Sequence, residues 1–221
     1  MIILALDTSA AASAALLDDD IVLADWTEFS VRKHAEHLGP ALAELLAGQP
    51  APQLAVVGVG PGPFTGLRAG IATAIGYGLG RDIPVHGLPS HHGLALRAFE
   101  ADPTGEVVVA TDARRKEVYW TRYSGLDSAG VPVVAAGPEV SAPAALGAQR
   151  ARRYGRGFAL YPELLGAPVG DEPADLETTA ADLGRVAVRM LTAGRELLPT
   201  TPLYLRAPDA KPAAPTTTSL R

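Results

Sequence analysis

Residues 2–6 are an unbroken apolar run that stops at Asp7. Such a run, without polar alternation, reads as a strand buried on both faces. Residues 12–17 and 21–27 give two more strands, joined through Asp18, Asp19 and Asp20. Acids in so tight a connection read first as solvated turn formers, with metal ligation as the alternative. The period then lengthens. Leu38, Ala41, Leu42, Leu45 and Leu46 share one helical face across residues 33–47, with Gly48 as the stop. Pro40 either kinks that helix or marks a later start. Residues 53–57 return to a strand; residues 83–86 give another, before a helix over 90–100 with Ser90 as its expected cap. The second half opens as the first did, with an apolar strand over 106–112 ending in Asp112, a turn, and a strand over 117–123. Thr179 and Asp182 form a capping box for a helix over 179–198, whose apolar face is Leu183, Val186, Ala187, Met190 and Leu191. The echo predicts two α/β lobes facing a cleft, over residues 1–104 and 105–206. Residues 207–221, dominated by Pro, Ala and Thr, read as a disordered tail.

The most informative stretch is Gly58-Val59-Gly60-Pro61-Gly62-Pro63-Phe64-Thr65-Gly66-Leu67-Arg68. It lies between the strand at 53–57 and a helix over 65–80 for which Thr65 is the expected N-cap. Leu67, Ile71, Ile75 and Leu79 recur every four residues as an apolar ridge. Beside it, Gly66, Gly70, Ala74 and Gly78 make a ridge with almost no side chain. Each interior glycine costs about 1 kcal/mol relative to alanine, so the ridge is expected to admit another backbone, from this chain or a partner. The loop has two readings. Glycines ahead of a helix cradle phosphate in many proteins. Here no Gly-Lys-Ser/Thr closes the loop, and Pro61 and Pro63 remove two N–H donors, which favours a rigid structural loop.

At 221 residues, one large domain or two lobes can bury a core, and 48% apolar with 19% charged residues is ordinary for a globular protein. A net charge of −5 argues against a stand-alone nucleic-acid binder. The absence of cysteine removes disulfide and thiolate chemistry. The start has no basic n-region and no apolar run reaches the ~18 residues of a membrane span, so a cytoplasmic protein without membrane association is expected. His34, Glu36 and His37 suggest zinc, but a catalytic site needs a third ligand, and His86, His91 and His92 complete no recognised pattern. No metal site is assigned. Arg114, Arg115 and Lys116 are either a solvated turn or contacts to RNA phosphate or an acidic partner. Tyr119, Trp120 and Tyr123 are assigned to sheet packing.

Asp7-Thr8-Ser9, Gly60 to Arg68, Asp112-Ala113-Arg114-Arg115-Lys116-Glu117-Val118-Tyr119 and Pro202-Leu203-Tyr204-Leu205-Arg206 together resemble the TsaB (YeaZ) family, in order, over residues 1–206. The family usually carries serine where this chain has Pro63. The resemblance implies an α/β, two-lobed actin-like or sugar-kinase-like fold (ASKHA, ribonuclease H-like), with duplicated mixed sheets flanked by helices. It implies a non-catalytic dimerisation subunit that activates a TsaD-like catalytic subunit. That partner transfers threonylcarbamoyl to the tRNA adenosine next to the anticodon, with a TsaE-like ATPase in the assembly and tRNA reached through the complex. The phosphate turns of such a fold look degraded here. Asp7, Thr8 and Ser9 run into Ala10, Ala11 and Ala12 rather than glycine, and Asp112 leads into Ala113, Arg114, Arg115 and Lys116. The H-x-x-x-H pair of TsaD-like enzymes is absent. No catalytic residue and no cofactor are therefore expected on this chain alone, with ATP or ADP confined to the complex junction. The expected docking surface is His34, Leu38, Leu42, Leu45, Gly66, Arg68, Gly70, Ala74 and Gly78, which in isolation would pair two copies as a homodimer. On that expectation Gly70→Leu or Ala74→Glu abolishes pairing and leaves the monomer folded. The rival readings are an active ATP-dependent small-molecule kinase or ATPase using Asp7 and Asp112, and a metallopeptidase using His34, Glu36 and His37.

Overall fold

The computed structural model describes residues 1–29, 34–147, 150–170 and 176–206; the expected tail at 207–221 lies outside the described residues. Strands β1 (Ile2–Asp7), β2 (Ala12–Asp18), β3 (Ile21–Glu28), β4 (Leu54–Gly58) and β5 (Val85–Leu88) form a sheet in the order β3-β2-β1-β4-β5. β1 pairs antiparallel with β2 and parallel with β4. Strands β6 (Val107–Asp112), β7 (Val118–Leu126), β8 (Pro132–Ser141) and β9 (Arg152–Tyr154) repeat the plan as β8-β7-β6-β9, with β6 antiparallel to β7 and parallel to β9. This is the expected α/β architecture of duplicated mixed sheets, the actin-like layout.

Helices cover both faces of each sheet, which is why β1 and β6 are apolar throughout. Helices α1 (His34–Leu45) and α2 (Phe64–Arg81) lie on the side of Leu4, Leu6, Leu16 and Val57. Ile3, Ala5, Leu17 and Val56 point the other way, onto helix α7 (Ala180–Thr192). Helix α3 (His91–Ala101) buries Leu94, Ala98 and Phe99 against Val107, Val109 and Tyr123 of the second sheet. The short helices α4 (Pro143–Leu146), α5 (Arg156–Leu160) and α6 (Pro162–Leu165) complete the chain, and Phe158 and Leu165 cover that sheet's far side. Helices therefore cross over: α7, late in sequence, covers the first sheet, and α3, from the first half, covers the second. They meet in a central layer where Arg97 pairs with Asp182 and a Cβ on Gly93 would stand 3.1 Å from the Leu183 nitrogen.

Four local expectations are refined. α1 runs through Pro40 instead of starting after it. Pro63, at φ −61° and ψ 133°, is the N-cap of α2; its carbonyl accepts the Leu67 N–H at 3.0 Å, and Thr65 lies inside the helix. Ser90 precedes α3 but does not cap it, because its Oγ accepts the Gly60 N–H at 3.2 Å. α7 stops at Thr192, short of residue 198, because Gly194 takes φ 68°. Arg195 N–H then reaches Met190 and Gly194 N–H reaches Leu191, both at 2.9 Å, a Schellman closure.

The capping box at Thr179 forms as read, with Oγ1 accepting from the Asp182 N–H and donating to its carboxylate. Thr179→Ala should lower stability by about 1 kcal/mol, read as an earlier urea midpoint at an unchanged m-value.

Candidate functional site

β1 delivers Asp7 to the end of its sheet, and the Gly/Pro loop after β4 folds back onto the turn that follows. Asp7 is fully buried. Its Oδ1 accepts the Ser9 N–H at 2.8 Å and the Ser9 hydroxyl at 2.6 Å. Its Oδ2 occupies the space that a Cβ on Gly58 would need, beside Ser90. Burial pushes the Asp7 carboxyl above the usual carboxylate range, against the pull of the Ser9 and Ser90 hydroxyls. Thr8 donates its hydroxyl to the Gly66 carbonyl at 2.8 Å. A Cβ at Gly66 would stand 2.6 Å from the Thr8 carbonyl oxygen, and one at Gly62 would stand 2.7 Å from that of Ser9. Gly70 backs onto the Thr8 side chain in the same way, and Gly78 onto Val85.

The small-residue ridge therefore meets this chain's own backbone, which corrects the expected docking surface. Gly70, Ala74 and Gly78 are buried, Gly66 is half-buried, and Leu38, Leu42 and Leu45 sit in the core with Leu4 and Leu16. The His34 side chain lies outside the described residues. Of the expected set, Arg68 reaches the surface. The physical reason is helical roll: once Gly66 and Gly70 face Thr8, the opposite row must face solvent. That outer row is Phe64, Arg68, Ala72, Ile75, Gly76, Leu79 and Gly80. Leu79 is 81% exposed and Phe64 46%. A Cβ on Gly76 or Gly80 would meet nothing within 4 Å.

The second turn is held as firmly. Arg114 N–H donates to Asp112 Oδ1 at 2.8 Å, Ala113 N–H to the Glu117 carbonyl at 3.1 Å, and Glu117 N–H to the Arg114 carbonyl at 3.0 Å. Arg114, Arg115 and Lys116 take φ of 60°, 55° and 61°, a region costing L-residues roughly 1–2 kcal/mol each. A strap over residues 198–206 runs from the first sheet to the second turn. Leu198 bridges Gly87, and Leu203 N–H reaches the Val59 carbonyl at 2.7 Å. Tyr204 stacks on Phe64 with centroids 4.9 Å apart, and its hydroxyl accepts from Arg68 Nε at 3.0 Å. Arg206 donates to the Ala113 carbonyl at 3.1 Å and pairs with Glu117.

Between the turns lies Glu177, 5% exposed, paired with Arg156 at 3.3 Å. Burial lifts its carboxyl to about 7; Arg156 pulls it down, and the charges of Asp7 and Asp112 push it further up. Glu177 thus marks where both aspartates converge. His91 lies nearby in sequence to Ser90, with Nε2 and Nδ1 each 2.9 Å from the hydroxyls of Thr111 and Thr121. Burial holds it neutral, with a pKa of about 3, and His92 at about 4. Glu177 and Arg156 carried no signal in the sequence, because nothing in their spacing reveals burial, and Ser90 was read only as a helix cap. The hydroxyls of Thr8 and Ser9 and the N–H groups of Ser9, Ala113 and Arg114 serve internal acceptors. Among the described residues, no three His, Asp or Glu side chains are placed to hold a metal ion, and no helix is long and apolar enough to cross a membrane.

Comparison with known proteins agrees with this geometry. The TsaD family model, described as tRNA N6-adenosine threonylcarbamoyltransferase, matches residues 28–152. An uncharacterized protein of Mycobacterium tuberculosis (strain ATCC 25618 / H37Rv) is 39% identical over 220 residues, covering 96% of this chain and 95% of that protein. The tRNA threonylcarbamoyladenosine biosynthesis protein TsaB of Escherichia coli (strain K12) is 37% identical over 128 residues, 56% of this chain and 55% of that one. The solved structure of YeaZ from Pseudomonas aeruginosa superimposes with a TM-score of 0.77 at 32% identity, over 92% of this chain and 99% of that one.

Two outcomes follow from the packing. Gly70→Leu drives a side chain into Thr8 and should unfold the chain or cost upward of about 3 kcal/mol, seen as a lost or lowered thermal transition. Glu177 binds its proton more tightly folded than unfolded, so stability falls as pH rises from 4.5 to about 7. Glu177→Gln should flatten that slope, a change on the order of 2–3 kcal/mol across the window, read from urea midpoints against pH. A variant as steep as the parent would show that the dependence arises elsewhere.

Proposed function

The chain belongs to the TsaB (YeaZ) family, and on that premise we propose that it is the non-catalytic scaffold subunit of a complex that makes threonylcarbamoyladenosine in tRNA. It binds and activates a TsaD-like catalytic subunit, a TsaE-like ATPase joins the assembly, and tRNA is reached through the complex in the cytoplasm. The observation that carries this reading is the seating of Gly62, Gly66 and Gly70 on the Thr8–Ser9 turn. One contact has two consequences: it engages the Thr8 hydroxyl on the Gly66 carbonyl, and it turns the outer face of α2 to solvent. Phe64, Ile75 and Leu79 on that face supply apolar area, while Ala72, Gly76 and Gly80 let a partner helix approach closely. With no catalytic subunit present, the same face pairs two copies. Nucleotide belongs to the subunit junction and not to this chain alone.

Leu79→Glu should weaken co-purification with the TsaD-like subunit by more than about tenfold, with the thermal midpoint of the isolated chain unchanged because the side chain touches solvent. In the same preparation, calorimetric titration of the isolated chain with Mg-ATP should give no binding. Micromolar binding with turnover would instead support an active kinase or ATPase.

A further inference from the structure

The hairpin between β6 and β7 holds an unusual backbone in order to present charge. Arg114, Arg115 and Lys116 follow one another at φ of 60°, 55° and 61°. All are exposed, on a chain whose net charge is −5. Glycine or asparagine would close such a turn with less strain. The turn is clamped from both sides: Asp112 Oδ1 takes the Arg114 N–H, and Arg206 takes the Ala113 carbonyl and the Glu117 carboxylate. Arg114, Arg115, Lys116 and Arg206 stand against Asp112 and Glu117, a local excess of two positive charges. The strap also fixes the location. Tyr204 stacks on Phe64 at the start of α2, two residues before Arg206, a span of at most ~7 Å. The cationic turn is therefore tied, through two adjacent strap contacts, to the start of α2.

We propose that Arg114, Arg115 and Lys116 form a preorganised cationic turn that contacts the phosphate backbone of RNA. This rests on the reading above of the chain as a subunit of a tRNA-modifying complex, which is what brings a polyanion here in preference to an acidic protein segment. Contacts of this kind position RNA without reading its sequence, and a clamped turn loses little freedom on binding. The test uses the full chain paired with its TsaD-like subunit, and the double variant Arg115→Asn/Lys116→Asn. Asparagine suits positive φ, and Arg114, which pairs with Asp112 at 3.4 Å, is left in place.

Affinity for tRNA is measured by fluorescence anisotropy through a salt series. The variant pair should assemble normally and keep its thermal midpoint. It should bind tRNA about tenfold more weakly at low salt. Its slope of log K against log salt should be shallower by about 2, roughly 1 per cation removed. Equal affinity and slope overturn the proposal. Loss of pairing with the catalytic subunit also overturns it, assigning the turn to a protein contact. A wild-type pair that modifies tRNA while the variant binds tRNA unchanged sinks the turn alone. A wild-type pair that neither assembles nor modifies tRNA sinks the functional reading and this proposal with it.

Discussion

The close seating of the Thr8–Ser9 turn on the loop and first turns of α2 governs the rest of the molecule. Two carbonyl oxygens come within 2.6–2.7 Å of where Cβ atoms would stand on Gly66 and Gly62, so only glycine permits the approach. A helix has a single roll about its axis. Fixing Gly66 and Gly70 against Thr8 also places Leu67, Ile71 and Ala74 on the sheet and leaves Phe64, Ala72, Ile75 and Leu79 outside. The burial of one row of α2 and the exposure of the other are thus one event in the packing.

The two lobes are joined by more than a hinge. α3 and α7 form a shared middle layer, where Arg97 pairs with Asp182 and Thr179 closes the network. The strap reaches from Gly87 and Val59 to the Asp112–Glu117 turn, and the buried Glu177 pairs with the exposed Arg156. Glu177 is 5% exposed, and that burial is what raises its carboxyl to about 7.

Much of this fold was legible in the order of residues. The paired strand-to-aspartate endings at Asp7 and Asp112 announced the duplication, and the two sheets repeat the same strand order. The capping box at Thr179 was legible because capping is a contact between neighbours in sequence. The two aspartates that end β1 and β6 were legible, and the charges of Asp7 and Asp112 both reach Glu177. Glu177 itself was not, since its burial depends on elements from both lobes. The tight conformation of Arg114, Arg115 and Lys116 was equally hidden, because their types disfavour it.

By itself the sequence determined the strands and helices of the first half, the strands at Val107–Asp112 and Val118–Leu126 and the helix after Thr179, and that α2 carries one ridge of glycine and another of aliphatic side chains; the segments between Pro132 and Leu165 carried no such signal. Those features follow from periodicity, which is local. What each ridge meets was decided by the tertiary structure alone. Thr8 and Gly66 are 58 residues apart, and Arg206 and Ala113 are 93 apart. Periodicity shows that a helix has two sides; only the packing of distant segments determines which side is buried and which is left to solvent.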